Sequence, residues 1–111
     1  MKRNYETQQR CPIARALDLV GDRWTILVIR DLHEGETRFA DLLRSLEGIS
    51  PNLLSARLKT LEREGFVQRR LYSEHPPRAE YVLTEQGRAF GPVLGAMYDW
   101  GKRYLDAPAG A

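Results

Sequence analysis

The feature that most constrains this chain is a pair of amphipathic stretches separated by only the three residues Glu47, Gly48 and Ile49. In the first stretch, Phe39, Leu42, Leu43 and Leu46 recur at i, i+3, i+4 and i+7, with Arg38, Asp41 and Arg44 off the apolar face. In the second, Leu54, Leu58 and Leu61 recur at i, i+4 and i+7 behind Ser50-Pro51, a cap followed by a proline suited to the first helical position. Thr37 is expected to cap the first helix and Gly48 to end it, while Gly65 ends the second. Two short helices joined so tightly cannot lie parallel, and they predict a helix-turn-helix unit.

The flanking sequence extends this unit into a recognisable order. Upstream, Cys11-Pro12 opens a helix with Ile13, Leu17 and Val20 on one stripe and Gly21 as its stop. Asp22 can cap a second helix, whose residues Trp24 to Leu32 are apolar nearly all round, as in a segment packed between neighbours. Downstream, Phe66-Val67 and Tyr81-Val82-Leu83 read as two extended runs around a polar, proline-bearing segment from Ser73 to Arg78, hence a hairpin with a stiff tip. Thr84 is expected to cap a last helix that Pro92 kinks or splits after its first turn. The predicted fold is mainly α with a small β-hairpin: one winged helix-turn-helix domain over residues 1–111, with its ordered core at about 11–105 and a disordered tail from Ala107 to Ala111.

Charge placement suggests what such a domain binds. The whole chain carries only +2, but Arg38 to Arg78 holds eight basic against five acidic residues. With the leucine stripe turned inward, 100° steps put Asn52, Ser55, Ala56, Lys59 and Arg63 on the outward face of the fourth helix. That face is short, polar and basic, suited to approach base edges and phosphates in a major groove. Any solvated helix face can look similar. The small residues in its first half, and Arg78 at the wing tip where it could reach a minor groove, favour double-stranded DNA over RNA or protein contacts. Arg57, on the flank of the stripe, is suited either to a carboxylate inside the fold or to a phosphate.

Cys11-Pro12, Gly21-Asp22-Arg23-Trp24-Thr25, Arg38-Phe39, Ile49-Ser50-Pro51-Asn52-Leu53-Leu54, Arg57-Leu58, Leu61-Glu62, Gly65-Phe66-Val67, Pro76-Pro77, Glu80-Tyr81, Leu83-Thr84, Gly87 and Trp100 stand in an order and spacing that closely resembles the HxlR-type family of prokaryotic transcriptional regulators. The resemblance runs from about Cys11 to Tyr104. It implies a dimeric winged-helix repressor or activator, related in architecture to the MarR regulators, whose fourth helix reads a pseudo-palindromic operator and whose terminal helices form the homodimer. Ala56 departs from the longer polar residue expected there, although an alanine can still meet a thymine methyl. The apolar face of the last helix, with Met97, Trp100 and Tyr104, is the expected dimer surface, since so small a domain has few elements left to cover it.

Cys11 resembles the cysteine that some family members use as a redox or electrophile sensor. A helix start beside Arg10, with Arg15 one turn on, favours a thiolate; the alternative is a small residue that packs or caps. As the only cysteine it cannot form an intrachain disulfide, and with two distant histidines, His33 and His75, it makes no convincing metal site. No cofactor is implied, and a small-molecule effector stays open. The chain has no glycine-rich phosphate loop and no pattern naming a nucleophile with its histidine, so an enzyme is not expected. Its apolar runs are too short to span a bilayer and no apolar signal segment follows Met1, so a cytoplasmic location is expected.

Overall fold

The computed structural model describes residues 11–106, and the expectations for Arg10 and for the tail from Ala107 lie outside them. Six helices and one hairpin follow in the order α1 (Pro12–Val20), α2 (Arg23–His33), α3 (Phe39–Ser45), α4 (Pro51–Arg63), β1 (Val67–Glu74), β2 (Pro77–Leu83), α5 (Glu85–Arg88) and α6 (Gly91–Tyr104). None of these helices is long and apolar enough to cross a membrane.

The core forms where α2, α3, α4 and the base of the hairpin meet. Val28, Ile29 and Leu32 from α2, Leu42 from α3, Leu46 and Ile49 from the turn, the Leu54-Leu58-Leu61 stripe and Phe66-Val67 are all buried. Gly48 sits between α3 and α4 at φ +96°, a left-handed backbone that costs glycine no steric strain. Ser50 caps α4 as expected, its hydroxyl accepting from the Leu53 amide at 3.1 Å.

Two local expectations are corrected. Thr37 does not cap α3; Arg38 occupies the N-cap, without a side-chain cap bond. The Thr37 carbonyl instead accepts from the Tyr81 amide at 2.8 Å, and Arg38 forms an antiparallel bridge with Glu80. The loop before α3 thus touches the wing through a single isolated bridge beside the two-stranded sheet, and this pairing takes the backbone that capping geometry would need. Secondly, the wing is longer than its apolar ends suggested. Its ladder runs from Val67↔Leu83 to Glu74↔Pro77 with an irregularity between Leu71 and Ser73, leaving only His75-Pro76 as the turn. Arg78 therefore sits on β2 opposite Ser73, beside the tip rather than in a loop.

Pro92 splits off a first turn, as one of the two expected outcomes. Thr84 caps the separate short α5, its hydroxyl accepting from the Gly87 amide at 3.1 Å, and α6 begins anew with Pro92 in its first turn. α6 has no buried residue, and Met97, Trp100 and Tyr104 stand open, Trp100 at 59% exposure and Tyr104 at 62%. α1 is similar: of its expected stripe only Val20 is buried, while Ile13 is 72% exposed.

Gly87 marks where α5 presses on the wing base. A Cβ there would lie 2.2 Å from the Phe66 carbonyl oxygen and 2.9 Å from a Leu83 methyl, whereas a Cβ at Gly95 meets nothing. Gly87→Ala is expected to lower the stability by about 1–3 kcal/mol through overpacking, and Gly95→Ala to raise it by about 0.5–1 kcal/mol through helix propensity. Denaturant midpoints of the two variants check both signs.

Candidate nucleic-acid interface

Burial of Leu54, Leu58 and Leu61 fixes which way α4 points. Asn52, Ala56, Lys59 and Arg63 form one exposed stripe at i, i+4, i+7 and i+11, and Ser55 flanks it, half-buried. Among the described residues, Lys59 has no carboxylate partner, and Arg63 has only the Glu64 side chain, at 3.7 Å and mostly in solvent. A pair that exposed holds its arginine weakly, so the guanidinium can exchange onto an anion.

The wing, whose first strand packs against α4, adds further cations. Arg69 and Arg78 are exposed and, among the described residues, unpaired, whereas Arg70 is held across the ladder by Glu80 at 3.0 Å. Arg38 stays exposed, with its guanidinium 4.3 Å from the centre of the Tyr72 ring. The stack orients the arginine without neutralising it. Sequence reasoning missed Arg69 and Tyr72. The period-2 alternation of β1 could have separated Arg69 from Arg70, but no spacing rule joins Arg38 to Tyr72.

Arg57 takes the first of its two open roles. Its buried Nε lies 3.2 Å from Asp22 Oδ1. That approach is off the N–H direction, so the contact is Coulombic rather than an aligned hydrogen bond. Asp22 is the expected cap of α2: Oδ1 accepts from the Trp24 and Thr25 amides, each at 3.0 Å, and Oδ2 from the Thr25 hydroxyl at 2.6 Å. Partial burial raises the Asp22 pKa, but the Thr25 hydroxyl and amide, Arg57 and the Trp24 amide outweigh it and hold the carboxyl below its usual value. One carboxylate thus joins the α1–α2 elbow to the middle of α4.

Cys11 stands apart from this group, exposed at the N-cap of α1. Met97, Trp100 and Tyr104 share the open face of α6.

Residues 19–109 match the family model of the HxlR-like helix-turn-helix. This chain belongs to that family. The HxlR-like chain is 44% identical over 102 residues to sll1512 of Synechocystis sp., an uncharacterized HTH-type transcriptional regulator, covering 92% of this chain and 76% of that one. Its fold is shared with the reduced form of the redox regulator HypR, at TM-score 0.80 and 34% identity over 86% of this chain and 94% of that one. It is shared too with the reduced form of the transcriptional regulator YodB from B. subtilis, at TM-score 0.74 and 35% identity over 86% and 95%. The mainly helical winged-helix architecture and the membership in a family of transcriptional regulators are both settled by these likenesses.

The Asp22 cap yields a signed pH dependence for this HxlR-like domain. Asp22→Ala is expected to cost about 1–2 kcal/mol near neutral pH, the usual worth of a cap. Because the folded-state pKa is depressed, the charge-dependent share is present above the unfolded value near 3.8 and is lost as pH falls through the folded value. The stability gap between wild type and variant should therefore narrow below about pH 4. Urea titrations between neutral and acid pH measure it; a gap that widens on acidification would contradict this assignment.

Proposed function

We propose that this chain acts as a homodimeric, sequence-specific regulator that binds double-stranded DNA, with the exposed stripe of α4 in the major groove. The observation that carries the reading is that stripe itself. A buried leucine face turns Asn52, Ala56, Lys59 and Arg63 outward and exposed with the half-buried Ser55 at their flank, and the longest cations lie in the second half of the helix. Asn52, Ser55 and Ala56 are short enough to let the backbone approach base edges, and Lys59 and Arg63 reach for bases or phosphates. Arg78 and Arg69 on the wing, with Arg38 at its base, supply flanking phosphate contacts, and Arg78 near the tip is placed to enter a minor groove. Arg57 holds α4 in place and contributes at most its outer nitrogens. A winged helix used for protein contacts alone would not need a cationic stripe on α4 continued by the wing, and the deep, narrow major groove of an RNA duplex would not admit α4.

The dimer reading rests on the two ends of the described chain. Ile13 and Leu17 on α1 and Val93, Met97, Trp100 and Tyr104 on α6 are large apolar side chains left in solvent on helices that contribute little or nothing to the core. A second copy covering them would place two α4 helices about one helical turn of DNA apart, near 34 Å, and select a pseudo-palindrome. A cytoplasmic location follows from a DNA partner.

A second feature, the exposure of Cys11 at the start of α1, favours a redox-responsive regulator. HypR, a redox regulator of the same fold, makes this reading more attractive. Oxidation by peroxide would give a sulfenic acid, which a small thiol converts to a mixed disulfide with loss of water. An adduct beside the exposed α1 stripe would disturb the dimer and thereby the spacing of the recognition helices.

Selection from random duplex DNA is expected to return a pseudo-palindrome. Affinity for it should fall by about a thousandfold between about 50 and 200 mM salt if six phosphates are neutralised. Arg78→Ala should weaken specific and nonspecific duplexes alike and flatten the salt slope, whereas Ser55 or Lys59 substitutions should change the preferred sequence. Sedimentation should give a dimer that Trp100→Ala weakens by about 2 kcal/mol or more, with operator binding lost in parallel. A clear RNA preference, or salt-independent binding, would overturn the reading. For the second feature, peroxide with a small thiol should change operator affinity in the wild type and leave Cys11→Ser unchanged; equal responses of the two proteins would make Cys11 structural.

A further inference from the structure

The ladder of the wing leaves one residue over. Leu71 pairs with Ala79 and Ser73 with Arg78, so Tyr72 between them has no partner on β2. An extra residue of this kind interrupts the regular alternation of a strand and re-aims its side chain. Here the ring meets Arg38, whose guanidinium carbon lies 4.3 Å from the ring centre. We propose that Tyr72 is a positioning residue for DNA binding: it holds the Arg38 guanidinium at the base of the wing in the orientation that takes one backbone phosphate of a duplex. This assignment rests on the proposed DNA-binding reading and names, within it, the side chain that aims one of the flanking contacts.

Three constraints meet at Arg38, and none of them spends its charge. Its backbone is pinned, since the Thr37 carbonyl accepts from the Tyr81 amide at 2.8 Å and Arg38 itself bridges to Glu80. Residues directly opposite in antiparallel pairing share a face, so Glu80 is the carboxylate that the bridge sets beside Arg38. That carboxylate is already engaged. Arg70, opposite Glu80 on the other side of β2, donates to its Oε1 at 3.0 Å. Among the described residues Arg38 therefore has no ion pair, and the Tyr72 ring is the contact that orients its head.

A ring suits this task better than a carboxylate would. The N–H donors of a guanidinium lie in its own plane, whereas the attraction to an aromatic ring acts on its face, so stacking consumes no donor. An arginine paired with a carboxylate must give up that partner to bind a phosphate, and an unrestrained one must lose its rotamer freedom on binding. Arg38 is spared both costs. The pair also stands where a phosphate can reach it, with Arg38 exposed and Tyr72 40% exposed. Because Arg38 bridges to β2 and is at the same time the N-cap of α3, a phosphate held there lies between the wing and the helix-turn-helix unit.

Duplex affinities of variants of the full chain, with the Arg38 side chain followed by nuclear magnetic resonance, test the assignment. In the free protein the Arg38 Nε–Hε group is expected to be ordered in the wild type and in Tyr72→Phe, which keeps the ring, and to become mobile in Tyr72→Leu. Tyr72→Leu should weaken binding about threefold to tenfold, the range for losing one contact between a cation and a ring. The loss should be the same on the selected duplex and on a random-sequence duplex of equal length, because a phosphate contact carries no sequence information. Tyr72→Phe should bind as the wild type does. Arg38→Ala should lower the salt slope by about one, whereas Tyr72→Leu removes no charge and should leave the slope unchanged. In the Arg38→Ala background Tyr72→Leu should have no further effect on affinity; a ring that merely stiffened the wing would cost as much there as in the wild type. Equal losses in the two backgrounds, Tyr72→Phe binding as poorly as Tyr72→Leu, an Arg38 side chain no more mobile in Tyr72→Leu, or a loss confined to the selected duplex would each overturn the positioning role. A wild-type chain with an ordered Arg38 side chain that binds no duplex at all would instead overturn the DNA-binding reading on which the role rests.

Discussion

The burial of Leu54, Leu58 and Leu61 is the contact on which the rest of the molecule depends. These three side chains are wholly excluded from solvent among Val28, Ile29, Leu42 and Val67, and each methyl-rich face is worth about 1.5–3 kcal/mol relative to exposure. Because they occupy one side of a single thirteen-residue helix, their burial fixes its rotation about its own axis. The opposite side is therefore held outward as a rigid surface rather than as one of several orientations. The Asp22–Arg57 contact adds a second constraint on the same helix, tying its middle to the α1–α2 elbow so that α4 cannot slide along its groove without uncapping α2.

The wing is built by a similar sharing of groups. Thr37 and Arg38 lend their backbone to β2, Thr84 ties the end of β2 to Gly65, and Gly87 fits against Phe66 with no room for a side chain. These contacts join the start of α3, the end of α4, the hairpin and α5 into one rigid body. In that body the wing cations stand in a defined relation to the α4 stripe, as the proposed duplex binding requires of phosphate contacts that set the register for contacts to bases.

Most of this was legible in the sequence where one periodicity dominated. The leucine stripe of α4, the Asp22 and Ser50 caps, the Gly48 turn and the break before Pro92 each depend on residues within a few positions of one another, and each is found where expected. What failed depended on pairing across the chain. Thr37 has the chemistry of a cap, yet its carbonyl is engaged by Tyr81 more than forty residues away. The hairpin looked short because Arg69, Arg70, Glu74 and Arg78 are poor strand formers, and ladder pairing overrode that preference up to His75-Pro76. Arg57 could not be assigned from its flank position alone, since its carboxylate lies on another helix.

In the proposed complex the outward face of α4, with the wing beside it, is the surface that meets DNA. Amide chemical-shift mapping of the isotope-labelled protein, titrated with its selected duplex at moderate salt, addresses this residue by residue. The largest changes are expected at Asn52, Ser55, Ala56, Lys59 and Arg63 and along the wing near Arg69 and Arg78, with Leu54, Leu58 and Leu61 keeping their native environment. Changes confined to α1 and α6, with the α4 stripe and the wing unmoved by a bound duplex, would contradict it.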